Sequence, residues 1–243
     1  MLMVNELIGF GVGSSGPASV GNTKSIDLDG TTQYGTAAVG PGALPVTFLC
    51  WMYPDSVADA LGIFRFGVST ANTGNVQLNI AASGAITGHQ PGLVQTFTAT
   101  GAVTTGAWQM VTMTIANGAM SSTNPKYYVN ASAVAYASQS GSGTPVVSAT
   151  DMTLGRYNST NNFDGKFAMA AVWSAQLGAT EIAEIHAAGA GTALTANFGN
   201  YTSSANLLYH WAIEEGSGTN LADQNAAAAI TLVGSPTWSS SVP

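Results

Sequence analysis

Hydrophobic and polar residues alternate along short stretches of this chain, and turn-forming residues separate the stretches. Between residues 108 and 115 large side chains fall mostly on one face and Gln or Thr more often on the other, which is typical of a half-buried antiparallel strand. Most of the other segments are rich in β-branched and aromatic residues and bounded by Gly, Pro, Asn or Asp. The predicted strands are Ser25–Leu28, Gln33–Thr36, Val46–Tyr53, Gly62–Val68, Val76–Ala81, Val94–Thr98, Trp108–Ala116, Lys126–Val129, Met152–Gly155 and Phe167–Trp173.

One helix is predicted, over Ala179–Ala188. Thr180 is its expected N-cap and Gly189 can end it, while Ile182 and Ile185 share one face. Many short strands separated by turns, with a single helix, predict an all-β sandwich or barrel.

The two ends of the chain depart from this pattern. Residues 1–23 are predicted to form an arm, because they are too rich in Gly to hold a helix or a long strand. The arm packs on this domain or on a neighbouring subunit. Residues 207–238 return to a strand pattern, and we expect them to pack back on a sandwich formed by residues 24–243; an unrelated appendage is the alternative. The assembly residues of the arm are Leu2, Leu7, Ile8 and Phe10.

Composition limits the partners that the chain can have. Hydrophobic residues make up 46% of it, enough for a core, but only 7% are charged, against about 25% in typical domains. A surface with few charges suits contacts with other subunits. The net charge is −7 and the five basic residues are scattered, so direct nucleic-acid binding is not expected. No apolar stretch reaches the ~20 residues of a membrane span, and no secretory signal is expected at the N-terminus.

A series of short motifs resembles the concanavalin A-like lectin/glucanase superfamily, in its laminin-G-like branch. Ser25–Tyr34 is similar to the Asp-Gly opening of the family, and Trp51-Met52-Tyr53-Pro54 is similar to its Trp-x-x-Pro strand. The resemblance covers residues 24–188 and implies a two-sheet antiparallel jelly-roll sandwich. The remaining matching segments, in family order, are Trp108–Val111, Tyr127–Asn130, Leu154–Arg156, Phe163–Lys166 and Glu181-Ile182.

A further block lies at an unusual place. Residues 208–219 resemble the Trp and Glu-Gly-Ser-Gly block that often precedes the Asp-Gly opening in this branch, but here they follow the helix. The termini of a sandwich are often close in space. We therefore expect a permuted terminal strand that docks from the other end of the chain.

Catalysis is not expected, and the chain is predicted not to be an enzyme. Glycosidases need two carboxylates at a controlled separation, and the Glu-x-Asp-x-x-Glu run of the glucanase branch is missing. Asp29 lies in a predicted Asp-Gly turn, and Glu214 and Glu215, as neighbours in sequence, would point to opposite faces of a strand. An unusual glycan hydrolase that uses Asp29 and Glu214 is kept as an alternative. No histidine lies in a nucleophile motif, so surface or satisfied structural roles are predicted for His89, His186 and His210.

The polar loop that ends in an Asp-Gly turn is a candidate glycan or ion site. The resemblance implies acidic calcium ligands just after the Gly-Lys strand start, where this chain has Ala168 and Met169. Calcium is therefore possible but not favoured over a plain Asp-Gly hairpin, and no metal or other cofactor is predicted. The candidate loop residues are Asp151, Tyr157, Asn161, Asn162 and Asp164.

Aromatic residues and the single cysteine are assigned mostly to the core. Cys50 lies in an apolar run, where a buried structural thiol is expected. Trp51, Trp108, Trp173 and Trp211 are core candidates. The aromatic residues expected to be exposed, as a sugar platform requires, are Tyr127, Tyr157 and Trp238.

Two principal functions follow from these observations. The first is a non-enzymatic structural protein of a virus particle, a bacteriophage capsid decoration or tail-associated subunit. Its partners are other copies of itself and other virion proteins, and its location is the virion. The alternative is a secreted or surface carbohydrate-binding module that binds cell-surface glycans and is extracellular.

Overall fold

The chain folds into two antiparallel β-sheets stacked as a jelly-roll sandwich. A computed structural model describes residues 17–57, 61–67, 75–158 and 161–243. In chain order, strands β1 to β17 are Ser25–Asp29, Tyr34–Ala37, Val46–Pro54, Leu61–Phe66, Val76–Ile80, Ile86–Gln90, Val94–Thr98, Gln109–Ile115, Lys126–Val129, Ser132–Val134, Tyr136–Gly141, Met152–Leu154, Asp164–Trp173, Leu207–Trp211, Asn220–Leu221, Ile230–Val233 and Thr237–Ser239.

The strand order shows how distant parts of the chain are brought together. The eight-stranded sheet has the order β10-β9-β8-β3-β13-β1-β17, with β14 added beside β13. The nine-stranded sheet has the order β11-β7-β6-β5-β4-β12-β2-β16-β15. The all-β prediction is confirmed, and the ten predicted strands are present with bounds shifted by up to three residues; Val68 lies outside the described residues.

Apolar side chains from both sheets fill the space between them. The ring of Phe48 in β3 lies 5.9 Å from that of Phe64 and 5.3 Å from that of Phe66, both in β4. Cys50 is fully buried, as predicted, and burial raises the pKa of its thiol well above the usual range. The cysteine is therefore an inert core residue.

The predicted helix, α1, spans Ala179–Ala188 and covers the outer face of the eight-stranded sheet. Ile182 and Ile185 are fully buried there, as their spacing predicts. The predicted N-cap is wrong. Gly178 occupies that position, and the Glu181 carboxylate accepts a hydrogen bond from its N–H over 3.2 Å. One-turn 3₁₀ helices lie at Ala82–Gly84 and Ser204–Asn206.

The C-terminal block adds strands to both sheets. Trp211 in β14 pairs with Ala170 in β13, and its buried indole N–H donates to the carbonyl of Ala228 over 2.9 Å. Farther along, β16 pairs with β2 and β17 pairs with β1. The residues that follow the helix therefore lie in the same sheets as those that precede it.

The described part of the predicted arm contacts later segments of the same chain. The Val20 N–H donates to the carbonyl of Gly191 over 2.8 Å, and the N–H and hydroxyl of Thr23 both donate to the Glu214 carboxylate. The predicted assembly residues Leu2, Leu7, Ile8 and Phe10 lie outside the described residues.

One expectation about exposure and two about the histidines are wrong. Tyr127 is buried because its strand is covered on both faces, and its hydroxyl forms a hydrogen bond with that of Thr96. His89 and His210 are buried and so are not surface residues, and Nδ1 of His89 has no hydrogen-bond partner among the described residues. Both ring nitrogens of His210 lack a hydrogen-bond partner within the described ranges, so this histidine is not a satisfied one.

Candidate functional site

A row of polar side chains crosses the outer face of the nine-stranded sheet, and each strand contributes one residue. Side chains alternate between the faces of a strand, so the apolar neighbours of these residues point into the core. Cross-strand register places each member directly beside the next. From β15 to β11 the row, called the polar row below, is Asn220, Thr231, Thr36, Thr153, Arg65, Gln77, His89, Gln95 and Ser140.

The polar row is recessed in its middle and open at its ends. Arg65, Gln77 and His89 are 9%, 2% and 8% exposed, whereas Ser140 and Asn220 at the two ends are exposed. A depression of about 300 Å³ lies on the β6, β7 and β11 side of the row. Arg65 and Gln77 lie recessed beside this depression, and the depression together with the recessed middle of the row is called the cleft below.

Three buried polar atoms at this cleft have no hydrogen-bond partner among the described residues. They are Oε1 of Gln77, Nδ1 of His89 and Oδ1 of Asn79, which lies two residues beyond Gln77 on the same face of β5. An unsatisfied buried polar atom destabilises a fold by about 1–3 kcal/mol. These three atoms lie on one face of the sheet, where a bound ligand can supply the missing partners.

The loop after β12 forms one wall of the cleft. It crosses β4 at Gly62, where a Cβ atom would lie 2.2 Å from the carbonyl carbon of Arg156. Only glycine allows the backbone to pass so closely. Arg65 holds the loop from below, since its Nη1 donates to the carbonyl of Tyr157 over 2.7 Å. The Tyr157 ring then lies 5.9 Å from that of His89.

The charges of the cleft follow from its burial. Burial and the neighbouring Arg65 lower the pKa of His89 to about 4, so its imidazole is neutral at pH 7. Burial also lowers the pKa of Arg65, although Asp151 favours its charged form. A neutral imidazole carries one acceptor and one donor nitrogen.

The five predicted loop residues divide between two places. Asp151 and Tyr157 lie beside the polar row near Arg65. Asn161 and Asn162 hold the loop: the Asn161 N–H donates to Asn158 Oδ1 over 2.8 Å, and Asn162 Nδ2 donates to the Thr31 carbonyl.

Asp164 lies away from the polar row, on the eight-stranded sheet. It is directly opposite Asp29 across the β1 and β13 pair. Burial and the nearby carboxylates of Asp55, Asp27 and Asp29 raise its pKa. The five residues therefore lie in two places in the fold, and glycan or ion binding by them stays a prediction.

The candidate catalytic carboxylates accept hydrogen bonds from main-chain N–H groups. Asp29 accepts hydrogen bonds from the N–H groups of Thr31, Thr32 and Gln33, and Glu214 accepts from Thr23 and Lys24. Within the described ranges no three His, Cys, Asp or Glu residues are placed to hold a metal ion. No helix there is long and apolar enough to cross a membrane.

The polar positions of β5 and β6 did not enter the sequence-based site. Val76-Gln77-Leu78-Asn79-Ile80 alternates strictly between apolar and polar residues, so the signal was visible. Such alternation is expected of any strand with one solvent-exposed face. What distinguishes this strand is that its polar face is buried, which only the structure shows.

Comparison with solved structures supports the fold. A protein from Bacteroides ovatus with a proposed role in carbohydrate binding superimposes with a TM-score of 0.64 at 15% identity; the match covers 92% of this chain and 60% of that one. The CBM40 module of the Ruminococcus gnavus IT-sialidase, bound to α2,3-sialyllactose, gives a TM-score of 0.51 at 14% identity, over 68% of this chain and 98% of the module.

Comparison with sequences gives the family. The search of curated protein sequences finds no match. A laminin-G family model, described as concanavalin A-like lectin/glucanases superfamily, matches residues 29–183, which is more than half of the chain. The sequence motifs, the two-sheet jelly roll and this match agree, and the chain belongs to the concanavalin A-like lectin/glucanase superfamily.

Proposed function

We propose that this protein binds glycans in the cleft on the outer face of its nine-stranded sheet. The observation that carries the proposal is the set of three buried and unsatisfied atoms on Gln77, Asn79 and His89. In a fold that hydrogen-bonds most of its buried polar groups, their convergence on one surface indicates that a ligand completes them.

Sugars have the chemistry that these atoms require. A sugar hydroxyl can both donate a hydrogen bond and accept one. Neighbouring hydroxyls can therefore donate to the amide oxygens of Gln77 and Asn79 and accept from their amide N–H groups. The neutral imidazole of His89 can take part as donor or acceptor. The ring of Tyr157 in the wall offers an apolar surface against which the C–H face of a sugar can pack.

The comparisons favour binding over the other functions. The structural relatives reported above include a protein with a proposed carbohydrate-binding role and a module bound to sialyllactose. The main-chain contacts of Asp29 and Glu214 support a non-enzymatic role. A glycan-binding module fits an extracellular location.

The virion hypothesis and a virion location stay predictions, because the arm residues on which assembly would depend lie outside the described part of the chain.

A glycan array followed by calorimetry on the best ligand tests the proposal. Gln77→Leu and Asn79→Ala each remove one amide, and each should weaken binding at least about tenfold, the value of one lost hydrogen bond in a desolvated site. Gln77→Leu should leave the thermal midpoint unchanged or raise it, because the free protein loses an unsatisfied buried atom. Reduced binding without reduced stability is the signature of a binding residue.

Thr112→Val provides the matched control. Thr112 also has a buried hydroxyl without a partner among the described residues, but it lies on β8 in the other sheet. This variant should bind glycans like the wild type. The proposal is rejected if the array shows no binding, or if Gln77→Leu binds as tightly as Thr112→Val.

A further inference from the structure

Positive charge is concentrated beside the polar row although the chain as a whole is acidic. The sequence has 5 basic and 12 acidic residues, and two of the five basic residues are neighbours here. Arg156 lies near enough to Arg65 to oppose its ionisation, whereas Asp151 favours it. Two basic side chains therefore lie near one acidic side chain beside the polar row.

Lys166 does not share this arrangement. Lys166 lies between the carboxylates of Asp27 and Asp55, 3.3 Å from each. Its charge is therefore matched by acids of the chain itself. Placing Arg156 beside Arg65 is unfavourable in the free protein, because like charges repel and Arg156 disfavours the charged form of Arg65. An anion bound at this place would remove that penalty.

Arg156 is held in the geometry that suits an anionic ligand. Its guanidinium carbon lies 4.2 Å from the centre of the Tyr34 ring, so the planar group lies over the aromatic face. Its Nε donates to the Asn158 carbonyl over 2.8 Å, and it is the one guanidinium nitrogen of Arg156 with a hydrogen bond inside the described ranges. The two Nη groups keep their donors, and a carboxylate can accept from both at once.

We propose that the glycan bound on the polar row carries a carboxylate and that Arg156, stacked on Tyr34, binds this group. The inference rests on the proposed glycan-binding function and narrows it to acidic sugars. Arg65 contributes charge from the floor while Gln77, Asn79 and His89 bind hydroxyls. No bond forms or breaks, so the complex is held by charge-assisted hydrogen bonds alone.

An array of matched pairs tests this proposal on the full chain. Each uronic- or sialic-acid glycan is printed beside its carboxyl-reduced form, which keeps every hydroxyl and loses the charge. Each sulfated glycan is printed beside its desulfated form. We expect the carboxylated member of the bound pair to bind at least about tenfold more tightly at low salt, and salt to reduce the difference by screening.

Variants then assign the effect to Arg156. Arg156→Gln should remove most of the preference for the carboxylated member, and Arg156→Lys should restore part of it, since it keeps the charge without the planar fork. Lys126→Gln removes the same charge from an exposed position and should leave the preference unchanged. Thermal midpoints of all variants show whether the fold is retained.

The outcomes separate the two proposals. Equal binding of both members of each carboxylated pair, a preference confined to sulfated pairs, or an unchanged preference in Arg156→Gln would overturn the carboxylate assignment while leaving glycan binding intact. Absence of binding to every glycan on the array would overturn the proposed function and this inference together.

Discussion

The guanidinium of Arg65 donates to the main-chain carbonyl of Tyr157 across 2.7 Å, from the floor of the cleft to its wall. These residues are 92 positions apart in the chain. One side chain of the sheet therefore fixes the position of the loop that carries Tyr157 and Arg156.

Replacing Arg65 with lysine should release this loop. Lysine keeps the charge but cannot reproduce the fixed donor geometry of the guanidinium. A hydrogen bond from a charged group contributes about 1.5–3 kcal/mol, and we expect a loss of that order in the free energy of unfolding in urea. Lys126→Ala, at an exposed position, should change it by less than about 0.5 kcal/mol. Similar unfolding curves for wild type and Arg65→Lys would contradict the anchoring role.

Removal of the C-terminal block should prevent folding. A chain that ends at Gly199 lacks β14, β16 and β17, so it exposes the edges of β13, β2 and β1 and loses the buried Trp211. We expect such a chain to be insoluble or to lack the circular dichroism of the full protein. Deletion of residues 242–243 alone serves as the control. Limited proteolysis near Thr195 that released a folded fragment of residues 24–190 would contradict this prediction.

Stability should fall between pH 6.5 and pH 4. Burial lowers the pKa of His210 to about 4, although Asp223 opposes the shift, and burial with Arg65 lowers that of His89 to about 4. The unfolded chain binds protons at these histidines near pH 6.5, before the folded one does, so acidification favours unfolding. Each histidine contributes on the order of 3 kcal/mol above pH 6.5, and this contribution is lost progressively down to pH 4.

His210→Leu isolates one of these contributions. The side chain is fully buried, and leucine removes both nitrogens while remaining apolar. The variant should show a clearly weaker decline between pH 6.5 and pH 4 when the free energy of unfolding is measured at intervals of half a pH unit. A variant with the same pH dependence as the wild type would show that His210 does not titrate with folding.

Loss of the Glu214 carboxylate should loosen the start of β1. Glu214 accepts from the Thr23 N–H over 2.9 Å and from the Thr23 hydroxyl over 2.8 Å. Glu214→Ala should destabilise the fold by about 1–3 kcal/mol, and Glu214→Gln by less, because its amide oxygen still accepts. Thermal unfolding of the three proteins measures this. A glycosidase activity abolished by Glu214→Gln in a fully stable protein would instead support the hydrolase alternative.

Local patterns were sufficient for the helix and for most of the strands that build the core, although the buried strand Ile86–Gln90 was missed. Val46–Pro54 is rich in large apolar and β-branched residues, and turn residues bound it, so a strand was the expected structure. The edge strand Tyr136–Gly141 was missed. Its Ser, Gln and Gly residues have low strand preference, and it forms because β7 offers a free edge with which to pair.

The candidate site was only partly predictable. Tyr157 and Asp151 lie in a loop whose composition attracts attention, but Gln77 and His89 are separated from it by more than 60 residues and reach it through β-sheet register. Register depends on pairing between distant strands, and nothing in the local sequence around Gln77 specifies it. The same reason explains Tyr127, which is buried by segments remote from it in the chain.

The length of the polar row has a consequence for the size of the ligand. Neighbouring strands are about 4.8 Å apart, so the eight steps between nine strands extend over about 38 Å. A single monosaccharide touches two or three strands of such a surface. Successive units of a polysaccharide would contact side chains of successive strands. Affinity should therefore grow with the number of units until the open ends of the row at Asn220 and Ser140 are reached.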